Sequence, residues 1–182
     1  MIVKRARVAA VTILAVGTIL ATTASGAAMA DNDDSGTHRV RLSGYQEDPL
    51  VLSTTGNGRF RLQVNERSEE VSYSLSYSDL EGDVLQAHIH LGGRSQSGGI
   101  MVFLCTNLGN GPAGTQPCPA APGEITGTIV AANIIGPAGQ GITAGEFREF
   151  ISAVRTGVTY VNVHSSRYPG GEIRAQLDHQ HR

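Results

Sequence analysis

The fold is decided by residues 158–177, VTYVNVHSSRYPGGEIRAQL. Apolar or β-branched side chains alternate with polar ones on both sides of a Pro-Gly-Gly sequence, and this period of two is typical of half-buried strands. Proline presets φ and glycine tolerates positive φ, which predicts a turn at residues 169–171. The polar side chains gathered around this turn are Asn162, His164, Glu172 and Arg174. We therefore predict that this hairpin carries the functional site.

Two segments carry a family resemblance. They are YVNVHSSRYPGGEIRAQ at residues 160–176 and AHIHLG at residues 87–92. Together they resemble the CHRD domain, the module repeated in chordin and found singly in secreted bacterial proteins. The resemblance spans residues 38–178, and it implies an extracellular all-β module whose bacterial members have no settled biochemical role.

The first thirty residues have the pattern of a secretory signal peptide. Three basic residues precede an apolar run at 8–20, and small residues occupy the positions that a signal peptidase reads before a cut after Ala30. The apolar run is too short for a stable membrane span. We expect residues 1–30 to be removed and the mature chain, without a membrane span, to be secreted.

The mature chain is mildly acidic. Eleven basic and sixteen acidic residues remain after residue 30, which gives a net charge of −5. We expect no basic cluster, and this mild negative charge argues against nucleic acid or an anionic membrane as the partner. The polar segment 31–37, DNDDSGT, is predicted to be a flexible leader, and residues 179–182 are predicted to fray.

Seven or eight short alternating segments, separated by turn residues, predict an all-β protein. The expected fold is a Greek-key β-sandwich or barrel, similar to an immunoglobulin domain or to copper–zinc superoxide dismutase. One short helix is predicted near residues 144–156. A T-x-x-E capping box begins it, Gly157 ends it, and an apolar stripe lies at i, i+3, i+4 and i+7. The stripe consists of Phe147, Phe150, Ile151 and Val154.

The two cysteines, Cys105 and Cys118, are an even number in a chain predicted to be exported, which favours a disulfide. A metal or redox pair is the alternative interpretation. Their separation does not match the CxxC spacing of such pairs, and the structural disulfide is therefore preferred.

Three histidines are candidates for a metal site. His88 and His90 are two apart on a predicted strand, and both imidazoles therefore project from one face. If the strand of His164 is adjacent, three imidazoles converge into a ligand set for zinc or copper. The alternative is that these are surface or loop-covered residues that hydrogen-bond locally. The chain lacks the remaining histidines of a superoxide dismutase, and that activity is not expected.

Neighbouring polar residues admit a structural and a functional interpretation. Glu172 and Arg174 are predicted to form an ion pair that fixes the hairpin. In the functional alternative, Arg174 binds an anion, and Glu172 ligates the metal or orients a ligating imidazole. Asn162 is expected to bond a neighbouring loop backbone.

The sequence favours a non-enzymatic extracellular binding module for an unknown protein or matrix ligand. Its loops at 92–99, 105–118 and 136–145 are the predicted contact surface, because sandwiches usually place function on loops. The first alternative is a copper- or zinc-binding protein that uses the three histidines for metal binding or for metal-dependent redox chemistry. The second is a structural envelope or matrix protein.

Overall fold

Eight strands and one α-helix form the part of the chain that the computed structural model describes, residues 36–178. The strands are β1 (Thr37–Ser43), β2 (Asn57–Asn65), β3 (Glu70–Ser78), β4 (Val84–Leu91), β5 (Ile100–Thr106), β6 (Gly123–Ile129), β7 (Thr159–Ser165) and β8 (Ile173–Gln176). The helix α1 (Phe147–Thr156) lies between β6 and β7. The predicted signal peptide, residues 31–35 of the predicted leader and the tail 179–182 lie outside the described residues.

All strands belong to one antiparallel sheet with the order β5-β4-β7-β8-β1-β2-β3-β6. The two edge strands, β5 and β6, approach one another, and the sheet is therefore a nearly closed barrel. The predicted all-β, barrel-like fold with one short helix is confirmed. Four hairpins, β1–β2, β2–β3, β4–β5 and β7–β8, account for the pairings between consecutive strands.

The barrel core is formed by the alternate residues that the sequence pattern selects. In β2 and β3, Phe60 lies opposite Leu75 and Leu62 opposite Tyr73, and the intervening polar residues face outward. Burying one such large side chain contributes about 1.5–3 kcal/mol. Because register and burial agree along both strands, a slip of one residue would expose this whole set.

The hairpin of β7 and β8 differs from the half-buried strands that its sequence predicts. Every residue of both strands is buried. The alternation is still present, since Val161, Val163 and Ile173 face the barrel core while the polar residues project from the outer face. The outer face is covered by loops instead of solvent, and this cover creates a buried polar layer.

Helix α1 begins three residues later than its sequence signal predicts. The Glu146 carboxylate accepts a hydrogen bond from the Thr143 N–H at 2.6 Å, but the Glu146 N–H donates to the backbone carbonyl of Thr143 instead of its hydroxyl. Gly145 between them has a φ of +85°, a left-handed conformation that a right-handed helix cannot contain. The signal therefore forms a turn that precedes the helix.

The rest of the helix prediction is confirmed. The predicted stripe on α1 is buried, and Gly157 ends the helix with a φ of +73°. Its N–H donates to the carbonyls of Ala153 and Val154, as in a left-handed C-terminal cap. Across residues 36–178, no helix combines the length and the apolar character needed to cross a bilayer.

A disulfide joins Cys105 and Cys118, as predicted, with the two Cα atoms 5.0 Å apart. It fastens the end of β5 to the loop that follows. Asn107 lies within that loop and strengthens the closure, because its amide group donates to the Cys118 carbonyl and accepts from the Cys118 N–H.

Replacing both cysteines, Cys105→Ser and Cys118→Ser, should lower the free energy of unfolding by about 3 kcal/mol, the value expected for a loop of this length. For a domain of this size the melting temperature should fall by about 6–12 °C. Calorimetry of the oxidised wild type and the double variant measures the shift. Equal melting temperatures would contradict this prediction, and reductant should lower the wild-type value while leaving the variant unchanged.

Candidate functional site

The pairing of β4 with β7 brings the three candidate histidines together. In this antiparallel register His88 lies opposite Asn162, His90 opposite Tyr160 and Gln86 opposite His164. His164 is therefore a diagonal neighbour of His88, a separation that long or aromatic side chains can span. One ligand nitrogen from each histidine lies within 4.8 Å of the others. We refer to His88, His90 and His164 as the histidine cluster.

Two irregularities in β5 flank the cluster. The β4–β5 register shifts between Ala87 and His88, and again between Ile89 and His90. Such β-bulges bend a strand locally and change the direction of its side chains. The Phe103 ring consequently lies edge-on against His88, with 4.3 Å between ring centroids. This ring closes the side of the cluster that faces β5.

The histidine cluster is buried, although the side chains point away from the barrel core as predicted. The exposed fraction is 0 % for His88 and 7 % for both His90 and His164. The loop at residues 92–99 covers them, because the Gly98 carbonyl contacts the His90 ring and its N–H contacts the Tyr160 hydroxyl. This loop, predicted to be a contact surface, serves as a cover over the histidines.

Backbone carbonyls fix the proton on two of the rings. His90 Nδ1 lies 2.9 Å from the Gly98 oxygen, and His164 Nδ1 lies 2.9 Å from the Pro169 oxygen. A carbonyl oxygen can only accept, which requires both Nδ1 atoms to carry hydrogen. In the neutral rings, both Nε2 atoms therefore present lone pairs. Metal-ligating histidines commonly have this arrangement.

Two nitrogens of the histidine cluster lack hydrogen-bond partners among residues 36–178. Within the described chain, the buried Nε2 atoms of His88 and His90 have no hydrogen-bond partner. His164 Nε2 faces His88 Nδ1 at 3.2 Å and Asn162 Oδ1 at 3.1 Å. His88 Nδ1 can donate to His164 Nε2, and in that tautomer His88 Nε2 carries the lone pair. Leaving a buried polar atom unpaired costs about 1–3 kcal/mol, and a site with two unpaired imidazole nitrogens is therefore suited to a cation.

All three rings are neutral at pH 7. Burial, together with the neighbouring His164 and His90 rings, lowers the pKa of His88 to about 2. Burial also lowers the pKa of His90 to about 4, although its hydrogen bond to Gly98 opposes the change. The pKa of His164 is lowered for the same reason, and its bond to Pro169 opposes this. Neutral imidazoles are the form that binds metal ions.

A stack of side chains from β7 and β8 supports the cluster. The Tyr160 ring lies parallel to the His90 ring, with 4.8 Å between centroids. On Tyr160 lies the buried guanidinium of Arg174, 3.5 Å from the ring centroid. Arg174 also donates to the carbonyls of Gly93 and Gln96, which fastens the covering loop. Arg174 therefore positions both the loop and Tyr160.

The structure places Glu172 away from the histidine cluster. Its carboxylate accepts hydrogen bonds from the Thr54 hydroxyl at 2.7 Å and the Glu81 N–H at 2.8 Å. These contacts join the β1–β2 connection to the β3–β4 connection. The predicted ion pair with Arg174 is not among the ion pairs of the described residues.

Sequence reasoning missed two residues that belong to this polar layer. Glu47 is buried in the β1–β2 connection, and burial raises the pKa of its carboxyl to about 7, although the charge of Arg174 lowers it. Gln176 donates to the carbonyls of Gly92 and Gly157 and supports the covering loop. Alternation on β8 places Gln176 on the polar face with Glu172 and Arg174, although it is not among the predicted site residues, whereas no local sequence signal marks Glu47.

Comparison with known proteins gives one positive result. Residues 38–177 match the CHRD domain family, which is most of the chain and includes the histidine cluster. No curated protein and no solved structure matches the sequence.

The metal-free protein should lose stability as the pH falls from about 6.5 to about 4. Unfolded histidines take up protons near pH 6.5, whereas the folded His90 does so only near pH 4 and His88 near pH 2. Each buried histidine should remove up to about 1.4 kcal/mol of unfolding free energy per pH unit in this window. Urea unfolding of chelator-treated protein at several pH values measures this loss.

The control for that experiment is His88→Gln, which keeps an amide of similar size but cannot titrate. Its unfolding free energy should fall less steeply over the same pH range. The difference in slope should equal the contribution of one buried histidine, up to about 1.4 kcal/mol per pH unit. The raised pKa of Glu47 gives the opposite trend, a loss of stability as the pH rises from 4.5 towards about 7. Glu47 is present in both the wild type and the variant, and its contribution therefore cancels when the two curves are compared. Parallel curves for the two proteins would contradict the assigned burial of a neutral His88.

Proposed function

The chain belongs to the CHRD domain family, and we propose that it is a non-enzymatic, exported binding module whose ligand is a copper or zinc ion held by the histidine cluster. One observation carries the proposal. One ligand nitrogen of each of the three buried imidazoles lies within 4.8 Å of the others, and the Nε2 atoms of His88 and His90 have no hydrogen-bond partner among the described residues. A cation bound between the rings would supply the partner that these two atoms lack.

The donor set favours zinc or copper over other ions. It consists of three neutral imidazoles, and imidazole suits zinc, copper, iron and nickel, whereas calcium and magnesium prefer oxygen ligands. Both cysteines form the disulfide and cannot contribute a thiolate. Asn162 Oδ1, which lies 3.1 Å from His164 Nε2, is a neighbouring oxygen that could orient or complete the set.

The site is preorganised for binding. Carbonyls at Gly98 and Pro169 hold the rings of His90 and His164 in the tautomer that exposes Nε2. Since these rings are already neutral and oriented, metal uptake near pH 7 requires neither proton release nor a tautomer change. The cost of keeping unpaired nitrogens buried would be offset when an ion binds.

Burial supports binding over catalysis. Catalytic metal sites keep a coordination position open to solvent or substrate. Here Phe103 and Tyr160 pack against the rings, the loop at 92–99 contacts them, and His88 is 0 % exposed. The disulfide favours an oxidising compartment, which supports export after cleavage near Ala30.

A protein or matrix ligand is the second candidate function. The observation that favours it is the β1–β2 connection, where three large apolar side chains are 68–74 % exposed. They are Tyr45, Leu50 and Val51. Exposed apolar residues close together in sequence are a recognised feature of interaction surfaces. The two functions are compatible, because these three side chains are exposed whereas the histidine cluster is buried.

Metal content of the untagged, exported protein tests the principal proposal. The wild type should retain about one copper or zinc ion per chain, and each of His88→Ala and His164→Ala should lose it. Adding metal at about 100 times its dissociation constant should stabilise the wild type by about 2.7 kcal/mol and leave the variants unchanged. Elemental analysis and thermal unfolding measure these effects.

The matched control is the double variant His179→Ala/His181→Ala, which removes two histidines without altering the cluster. It should retain the metal. If the wild type neither contains nor takes up metal, the proposal is wrong, and the cluster is then part of a structural protein or of a module that binds another ligand. Metal uptake that survives in His88→Gln and His164→Gln variants would also contradict it.

A further inference from the structure

Four arginines lie together on the outer face of the barrel. The β1–β2 register places Arg39 directly opposite Arg61 and Arg41 directly opposite Arg59. Side chains directly opposite one another, or two residues apart on one strand, share a face. All four are exposed, while their neighbours Val40 and Phe60 are buried. We refer to this feature as the arginine groove.

The arrangement opposes stability. Like charges directly opposite in an antiparallel pair repel, and two such pairs are adjacent here. The ion pairs among residues 36–178 use Arg94, Arg148 and Arg155, and none of the four groove arginines takes part. No ion pair among the described residues therefore neutralises the charge of these four side chains. An arrangement that is unfavourable in the free protein is typical of a binding surface.

Other residues complete a groove of about 620 Å³. Arg94 adds a fifth guanidinium from the loop at 92–99, although Asp178 pairs with it. Glu124 is the second carboxylate, so that five arginines face two acids. The remaining polar lining consists of Gln46, Ser74, Ser76 and Gln176. The expectation that the chain has no basic cluster is therefore wrong, because strand pairing assembles one from two separate segments.

We propose that the arginine groove binds an acidic polysaccharide through its sulfate or phosphate groups. The planar guanidinium donates two parallel hydrogen bonds to such oxyanions. Side chains two apart on a strand are about 7 Å apart, and opposite side chains about 5 Å apart. This spacing lets several arginines contact successive charged groups of one chain. This inference stands independently of the metal proposal.

The composition of the groove favours a polysaccharide over a nucleic acid. Ser74, Ser76 and Gln46 offer hydroxyl and amide groups to sugar hydroxyls. Single-stranded nucleic acids are held by exposed aromatic rings that stack on bases. Phe60 is the only aromatic residue of the described lining, and it is 1 % exposed. The groove therefore provides charge and hydrogen bonds without a stacking surface.

Titration with dextran sulfate, dextran phosphate and uncharged dextran tests the proposal in the wild-type protein. Dextran sulfate, dextran phosphate or both should bind, and uncharged dextran should not. The polymer that binds more tightly identifies whether the groove prefers sulfate or phosphate groups. Affinity should fall on the order of 100-fold between about 50 and about 200 mM salt if four charges make contact. Arg41→Gln/Arg59→Gln should weaken binding at least about ten-fold at low salt.

The matched control is Arg67→Gln/Arg155→Gln, which removes the same charge elsewhere and should change affinity by less than about two-fold. Because it relieves repulsion, Arg41→Gln/Arg59→Gln should melt no lower than the wild type. If circular dichroism shows that this variant is unfolded, the single variants Arg39→Gln and Arg61→Gln must each weaken binding instead.

Three results would overturn the proposal. The first is that neither charged dextran binds. The second is that the control variant Arg67→Gln/Arg155→Gln loses as much affinity as Arg41→Gln/Arg59→Gln. The third is that a single-stranded oligonucleotide of equal charge binds the groove as tightly as dextran sulfate, which would assign the surface to nucleic acid.

Discussion

The register between β4 and β7 determines the candidate site. It pairs His88 with Asn162 and places His164 diagonally across from His88. A shift of one residue would turn the histidines of β4 into the barrel core and Ile89 out of it. The apolar inner face therefore specifies the position of the polar outer face. The same constraint that packs the barrel also brings three imidazoles together.

The cover over the outer face depends on Arg174. Its guanidinium lies on Tyr160 and holds the carbonyls of Gly93 and Gln96, which keeps the loop at 92–99 over the histidines. The loop is tightly folded, since a Cβ on Gly98 would lie 1.6 Å from the Leu91 oxygen. Glycine is required at that position. Burial of the rings, and with it their neutrality at pH 7, follows from this cover.

The two proposed binding surfaces occupy the same outer face of the sheet. Tyr160, Arg174 and the covering loop lie over the histidine cluster, whereas the arginine groove extends across β1 and β2. Arg94 belongs to the covering loop and lines the groove as well. The loop therefore lies between a buried site suited to a cation and an exposed surface suited to anions.

The sequence predicted the parts of this account that depend on local patterns. Alternation identified the strands, and the cysteines in a chain with an apparent export signal identified the disulfide. The His-x-His spacing identified two members of the cluster. The helix start was wrong because the left-handed Gly145 interrupts the capping signal. The arginine groove was missed because Arg41 and Arg59 are brought together only by strand register. The full burial of His88 depends on contacts between strands, such as that with the Phe103 ring, which no local sequence pattern predicts.

X-ray absorption spectroscopy of the metal-loaded, exported protein tests the central claim most directly. The account predicts a copper or zinc ion whose nearest shell contains three imidazole nitrogens at about 2.0–2.1 Å. The imidazole signal should disappear in a His88→Ala/His164→Ala variant. A shell of oxygen or sulfur atoms, or an imidazole signal that survives in that variant, would contradict the assignment of the histidine cluster as a metal site.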